Sequence, residues 1–219
     1  MILAVTGGKG GVGKSTLAYN LGAALDAVVV DADLAMADLP HGRGPDLHDV
    51  LAGRADPVEA LRPGPVDLLP CGRSLAGARA ADVETLAEAV RSVAPGRDVL
   101  VDCPAGLRTD AGVPLAAADA CVVVASPRAW ALADAVRSRE LARELDAGLV
   151  AVALNRVVEE PPTASVERAL AAPTVAVPAD PRLGRSVAEE EPVGNVAPSS
   201  AGARAMGELA SAVQSCRSA

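Results

Sequence analysis

Short apolar runs recur along the chain, and most are continuous rather than alternating: residues 2–6, 27–31, 66–70, 98–102, 120–125, 149–154 and 174–177. Unbroken apolarity over one strand length marks strands covered on both faces. Between the runs lie stretches with helical spacing, at 14–25, 46–52, 82–93, 129–146, 165–171 and about 200–216. Strand–helix alternation implies right-handed crossovers. The predicted architecture is therefore an α/β fold, a mostly parallel sheet of about seven or eight strands with helices on both faces. No linker-like, repeated or low-complexity segment divides residues 1–219, which read as one domain. In such sheets ligands bind beyond the carboxyl ends of the strands.

Composition narrows the picture. Half the residues are hydrophobic, yet Phe is absent and Trp130 and Tyr19 are single occurrences, so the core must be built from Ala, Val and Leu on closely approaching elements. A net charge of −8 disfavours broad binding to DNA or an anionic membrane, which requires clustered cations. Cys71, Cys103, Cys121 and Cys216 are scattered without a C-x-x-C pair, so they read as buried free thiols rather than metal ligands.

The first run leads into TGGKGGVGKST, residues 6–16. Gly8-x-x-x-x-Gly13-Lys14-Ser15 matches a phosphate-binding loop in its required context, after a strand and before a helix. Gly8, Gly10, Gly11, Val12 and Gly13 supply backbone N–H groups that converge on phosphate, and the following helix adds its positive end. Lys14 reaches the β and γ phosphates, Ser15 coordinates Mg²⁺ and Thr16 bonds the α phosphate.

Lys9 needs a separate explanation. Lys and Arg total 20, and only Lys9 and Lys14 are lysine; both sit in this loop. A single-chain phosphate site needs only the second. KGGVGKST resembles the deviant Walker A loop of the MinD/ParA family, whose early lysine reaches across a dimer interface to the partner's nucleotide. The resemblance implies an ATP-sandwich homodimer, with ATP and Mg²⁺ as cofactors.

The resemblance continues along nearly the whole chain. VVVDADLAMADL, residues 28–39, is similar to the family's switch I. It implies that Asp31 and Asp33 orient the attacking water and support Mg²⁺, the sequence leaving the two equivalent for water, with Asp38 as a third participant or a solvated loop carboxylate. VLVDCPAG, residues 99–106, looks like Walker B and switch II, so that Asp102 holds the metal through water and the Gly106 N–H senses the γ phosphate. VALNR, residues 152–156, places Asn155 at a strand end to meet adenine, with Arg156 stacking or facing solvent. VPADPRL, residues 177–183 and including Pro178, resembles the loop that closes over the base. LHDVLAG and DCPAG are most similar to archaeal MinD-type ATPases, proteins that position the division site or other cell components. That implies a slow ATP hydrolase, stimulated by a protein activator or cargo adaptor.

The short connection at residues 24–31 predicts an early end to the first helix. Met206, Leu209, Ala210, Val213 and Cys216 form one apolar stripe on the last helix, with only Arg204 and Arg217 as cations nearby. A membrane-surface helix prefers bulky apolar residues against a basic face, so docking on the sheet is expected. The opening MILAVTGG lacks the order of an export signal, and no apolar run reaches the ~18 residues needed to span a bilayer. The expectation is a cytoplasmic protein, peripheral at a membrane or cell pole at most. Residues 163–219 carry five Arg against six acidic residues, so DNA partitioning is the weaker alternative, beside an ATP-binding scaffold with little turnover.

Overall fold

The computed structural model describes residues 1–106 and 109–216. Arg217, one of the two cations weighed for the last helix, lies outside the described residues.

Seven strands form one sheet: β1 (Ile2–Thr6), β2 (Val28–Asp31), β3 (Leu68–Leu69), β4 (Val99–Asp102), β5 (Ala120–Ala125), β6 (Gly148–Val157) and β7 (Thr174–Pro178). Their order is β3-β2-β4-β1-β5-β6-β7, and every neighbouring pair is parallel. All carboxyl ends therefore lie along one edge. The apolar runs of β1, β2, β4, β5 and β6 are buried on both faces, as expected, whereas edge strand β7 alternates, with Thr174 and Ala176 only half-buried. Leu3, Val5, Val29 and Val122 enter one core cluster, whereas their neighbours Ala4, Val28, Val30 and Val123 enter two others on the opposite side.

The six expected helices are present: α1 (Lys14–Leu25), α2 (Leu47–Leu51), α4 (Leu86–Ser92), α6 (Ala129–Glu144), α7 (Thr163–Leu170) and α10 (Ala201–Cys216). The segment expected to be helical from Asp82 opens instead as a 3-10 turn, Val83–Thr85, with the Asp82 carboxylate accepting from Glu84 N. Four short helices were not foreseen: α3 (Leu75–Ala80), α5 (Thr109–Ala116), α8 (Pro181–Arg185) and α9 (Val193–Val196). α3 carries Gly77, and α5 carries Gly112 and an internal Pro114; both residue types weaken a helical signal, and tertiary packing overrides them.

The first helix does stop early. Asp26 adopts a left-handed conformation with φ 51°, its N–H bonding to Ala23 and Gly22 carbonyls, and β2 starts two residues later. The last helix docks on the sheet: Met206, Leu209, Ala210 and Val213 join the cluster that holds α1 and the β6–β7 region. Cys216 departs from expectation, being exposed at the helix end, while Cys71, Cys103 and Cys121 are buried free thiols. No helix among the described residues is long and apolar enough to cross a membrane.

Candidate nucleotide site

The strand order decides which sequence motifs meet. β1 lies between β4 and β5, and β2 lies beyond β4, so the phosphate loop, Asp102 and Asp31 end three neighbouring strands. Connections leave β1 and β4 toward opposite sides of the sheet, which opens a crevice at their carboxyl ends.

Gly11 and Gly13 have φ of 74° and 97°, a region that residues with a Cβ avoid, and Gly13 is the N-cap of α1. Gly8 is fixed by close packing: a Cβ there would stand 2.9 Å from the Cβ of Asp134 on α6. Gly11, Gly13, Lys14, Ser15 and Thr16 line a cavity of about 630 Å³ together with Asp38, His41, Arg73, Arg156, Gly184 and Glu190. Lys14 is only 7% exposed, whereas Lys9 is exposed and does not line this cavity. Gly10 faces switch II, where a Cβ would come 3.8 Å from that of Ala105, and Gly106 has φ 106°.

Asp31 and Asp102 stand side by side in register, both 1% exposed. The Asp31 carboxylate accepts from Asp33 N at 3.2 Å and Leu39 N at 3.3 Å, so it pins both ends of the 33–39 loop. Burial pushes Asp31 up to about 7, against those bonds. Burial also raises Asp102 well above the carboxylate range, with the Asp31 charge adding to it and a hydrogen bond from Ser15 and the charge of Lys14 opposing. Asp102 Oδ1 is buried without a hydrogen-bond partner. An orphaned carboxyl oxygen beside a serine hydroxyl suits a hard cation such as Mg²⁺, whose charge would favour the ionised acid and which takes one or two protein oxygens and completes its shell with water and phosphate. Asp33 is raised by burial and lines a different cavity from Lys14.

That second cavity, about 670 Å³, is apolar: Leu34, Met36, Leu75, Val83, Leu86 and Val113 contribute, and Met36 and Leu75 are 69% and 77% exposed. It does not suit a triphosphate. Beneath it the buried His48 ring of α2 places Nε2 3.1 Å from the Leu34 carbonyl and 3.4 Å from the Cys71 sulfur, so α2 supports switch I through one side chain.

Asn155 is not the last residue of its strand. β6 continues to Val157 through a register shift, with Arg156 at φ 63°. The Asn155 amide donates to the Val12 carbonyl at 2.8 Å and accepts from Arg156 N at 2.9 Å, and it packs against Gly13. It thus holds the phosphate loop; the side chain is buried and, unlike Arg156, Asn155 does not line the cavity. Pro178 lies apart from the phosphate-loop cavity, lining a shallow pocket with Ala179, Asp180 and Arg182. From the following region it is Gly184, Val187, Ala188 and Glu190 that reach the cavity. Arg73, His41 and Glu190 were missed by motif reading. Arg73 alone had a signal, since it follows a strand's carboxyl end.

Comparison with known sequences decides the kinship: residues 3–197 match the CobQ/CobB/MinD/ParA nucleotide binding domain. The chain belongs to this family. Among curated MinD/ParA-type relatives, an ATP-binding protein of Methanocaldococcus jannaschii is 33% identical over 225 residues, covering 95% of this chain and 85% of its own. The septum site-determining protein MinD of Synechocystis is 32% identical over 176 residues, covering 73% and 65%. Among solved structures, the cell division ATPase MinD of Pyrococcus furiosus superposes with a TM-score of 0.91 at 29% identity, covering 98% of each chain. MinD of Pyrococcus horikoshii, solved with Mg-ADP, gives 0.89 at 29% identity, covering 97% and 95%. The MinD/ParA resemblance read from the motifs is thereby shown, as is the P-loop NTPase fold.

Proposed function

We propose that this MinD/ParA-type chain is a slow, partner-stimulated Mg-ATPase that dimerises around ATP and releases as ADP, and so positions division machinery or another cellular cargo. The observation that carries the reading is the separation of the two lysines: Lys14 is buried in the chain's own phosphate cavity, and Lys9 is exposed outside it. In this reading Lys9, which stands outside its own chain's phosphate cavity, serves a nucleotide held by a second copy.

Within one copy the division of labour follows from position. Lys14 and the loop N–H groups hold the phosphates. Ser15 and Asp102 would hold Mg²⁺, with Asp33 in support, and the ion supplies charge neutralisation at the transferring phosphoryl group. Asp31 and Asp33 orient water, and Asn155 with Arg156 stands on the base side. Gly106, whose φ of 106° favours glycine, is the switch II contact to the γ phosphate in this reading. The two switch segments also wall the apolar cavity, through residues 33–37 on one side and Pro104 on the other. A partner would therefore meet a surface whose shape depends on nucleotide state. A homodimer in the ATP state, a protein activator or cargo adaptor, and a cytoplasmic location with at most peripheral membrane contact belong to the same reading.

Light scattering tests it. With Mg-ATP the Asp33→Ala chain should double its mass, and it should remain monomeric with Mg-ADP. Adding Lys9→Ala should leave ATP bound but abolish the doubling. Normal dimerisation of the Lys9→Ala protein would reject the sandwich, and absence of phosphate release under all partner conditions would turn the reading toward a scaffold.

A further inference from the structure

The segment joining α8 to α9 forms one wall of the phosphate-loop cavity through Val187, Ala188 and Glu190, and residues 38–41 contribute from the loop between β2 and α2. Helix α1 holds the base of that wall. Asn20 Nδ2 donates to Ser186 Oγ at 2.6 Å, and Asn20 Oδ1 accepts from Val193 N at 2.7 Å. The tip is Glu190, a residue with a Cβ in the left-handed region at φ 54°, a conformation that persists only where surrounding contacts impose it. Arg62 supplies one such contact: its Nη2 donates to Glu190 Oε2 at 2.7 Å across 128 positions of sequence.

Arg62 is itself anchored. Its backbone exchanges hydrogen bonds with Leu68 at 2.7 and 2.9 Å, which ties it to the start of β3. Its guanidinium packs against Gly42, where a Cβ would stand 3.2 Å from Nε, and Gly42 follows the cavity-lining His41. One guanidinium therefore touches both rims. Below it, burial and the charges of Glu190 and Glu191 push the Tyr19 hydroxyl of α1 up to about 12, with Arg62 opposing, so the same charges converge on the helix that starts at Lys14.

We infer that the Arg62–Glu190 ion pair is a brace that ties the 186–191 wall to the 38–42 rim and sets how fast bound nucleotide leaves. The inference rests on the nucleotide-binding reading above. It differs from a purely electrostatic role in the sign of one effect. If Glu190 mattered only as a negative charge beside an anionic ligand, removing it would slow release; if the pair is a brace, removing either partner frees the wall and speeds release.

Release of the fluorescent probe mant-ADP, with Mg²⁺, should be followed by stopped flow for the wild type, Arg62→Gln, Glu190→Gln and the double variant. A half-exposed pair supports acceleration of about two- to fivefold in each single variant, and the double variant should be no faster than the faster single one. The charge-exchanged protein, Arg62→Glu with Glu190→Arg, should return toward the wild-type rate. Slower release from Glu190→Gln, or equal rates throughout, overturns the brace. Amide hydrogen exchange of 186–191 in the nucleotide-free protein gives a second readout: it should quicken in both single variants, and unchanged exchange overturns the inference. If the wild type takes up no mant-ADP, the nucleotide reading itself falls and the brace with it; that failure is visible before any variant is compared.

Discussion

Asp31 of β2 and Asp102 of β4 are register partners on adjacent parallel strands, two buried acids side by side at the carboxyl edge of the sheet. Neither is placed there for the stability of the ligand-free protein. Asp31, raised by burial to about 7, binds its proton more tightly in the folded chain than at the ordinary carboxylate value of 3.8. Its contribution is therefore favourable below about pH 4 and is lost as pH rises toward 7, on the order of 4 kcal/mol in all.

Asp31→Asn should remove that loss. In chelator, denaturant unfolding at pH 4.5, 6 and 8 should show the wild type falling progressively relative to the variant, with the variant the more stable at pH 8. Parallel curves for the two proteins would mean that Asp31 is already ionised at low pH in the folded state.

Asn155, expected to meet adenine, holds the phosphate loop through the Val12 carbonyl. Asn155→Ala leaves the Val12 carbonyl without its donor and Arg156 N without its acceptor, a cost of about 1–3 kcal/mol for buried groups. Thermal unfolding should report that loss without ligand, and calorimetry should show weaker Mg-ADP binding because Gly13 loses its packing partner. An unchanged melting temperature with weakened binding would restrict Asn155 to ligand contact.

Gly22 sits where α1 crosses β2, and a Cβ there would run into the Val29 side chain. Gly22→Ala gains about 1 kcal/mol of helix propensity but overpacks a core of small residues, which costs about 1–3 kcal/mol. Net destabilisation is expected in denaturant unfolding; a stabilised variant would show that the helix can lift off the strand cheaply.

Leu209 is fully buried on α10, whereas Leu75 is 77% exposed beside the apolar cavity. Leu209→Ala should cost about 2–5 kcal/mol and Leu75→Ala within about 0.5 kcal/mol. Equal, small effects would undo the docked position of the last helix and reopen a membrane-facing role for its apolar stripe.

The sequence by itself determined the strands, the six expected helices, the phosphate loop, and both aspartate segments, because each is a local pattern: continuous apolarity for a strand buried on two faces, glycine spacing for a loop that must admit phosphate, a carboxylate at a strand end. Even the stop at Asp26 was legible from the few residues available before β2. The short helices α3 and α5 were not, since their Gly and Pro argue against helix locally and packing against the sheet wins.

Only the tertiary structure decided which patterns meet. Any of these apolar strands could neighbour any other, for their two-faced burial carries no register; the order β3-β2-β4-β1 is what sets Asp31 beside Asp102 and next to the loop. The Asn155 side chain turned toward Val12 because β6 shifts register beyond it. Arg62 met Glu190 across 128 positions because the loops preceding β3 and following α8 converge at one end of the cavity. Side-chain partners of this kind follow from long-range packing, whose free energy belongs to the assembled sheet and not to any segment of the chain.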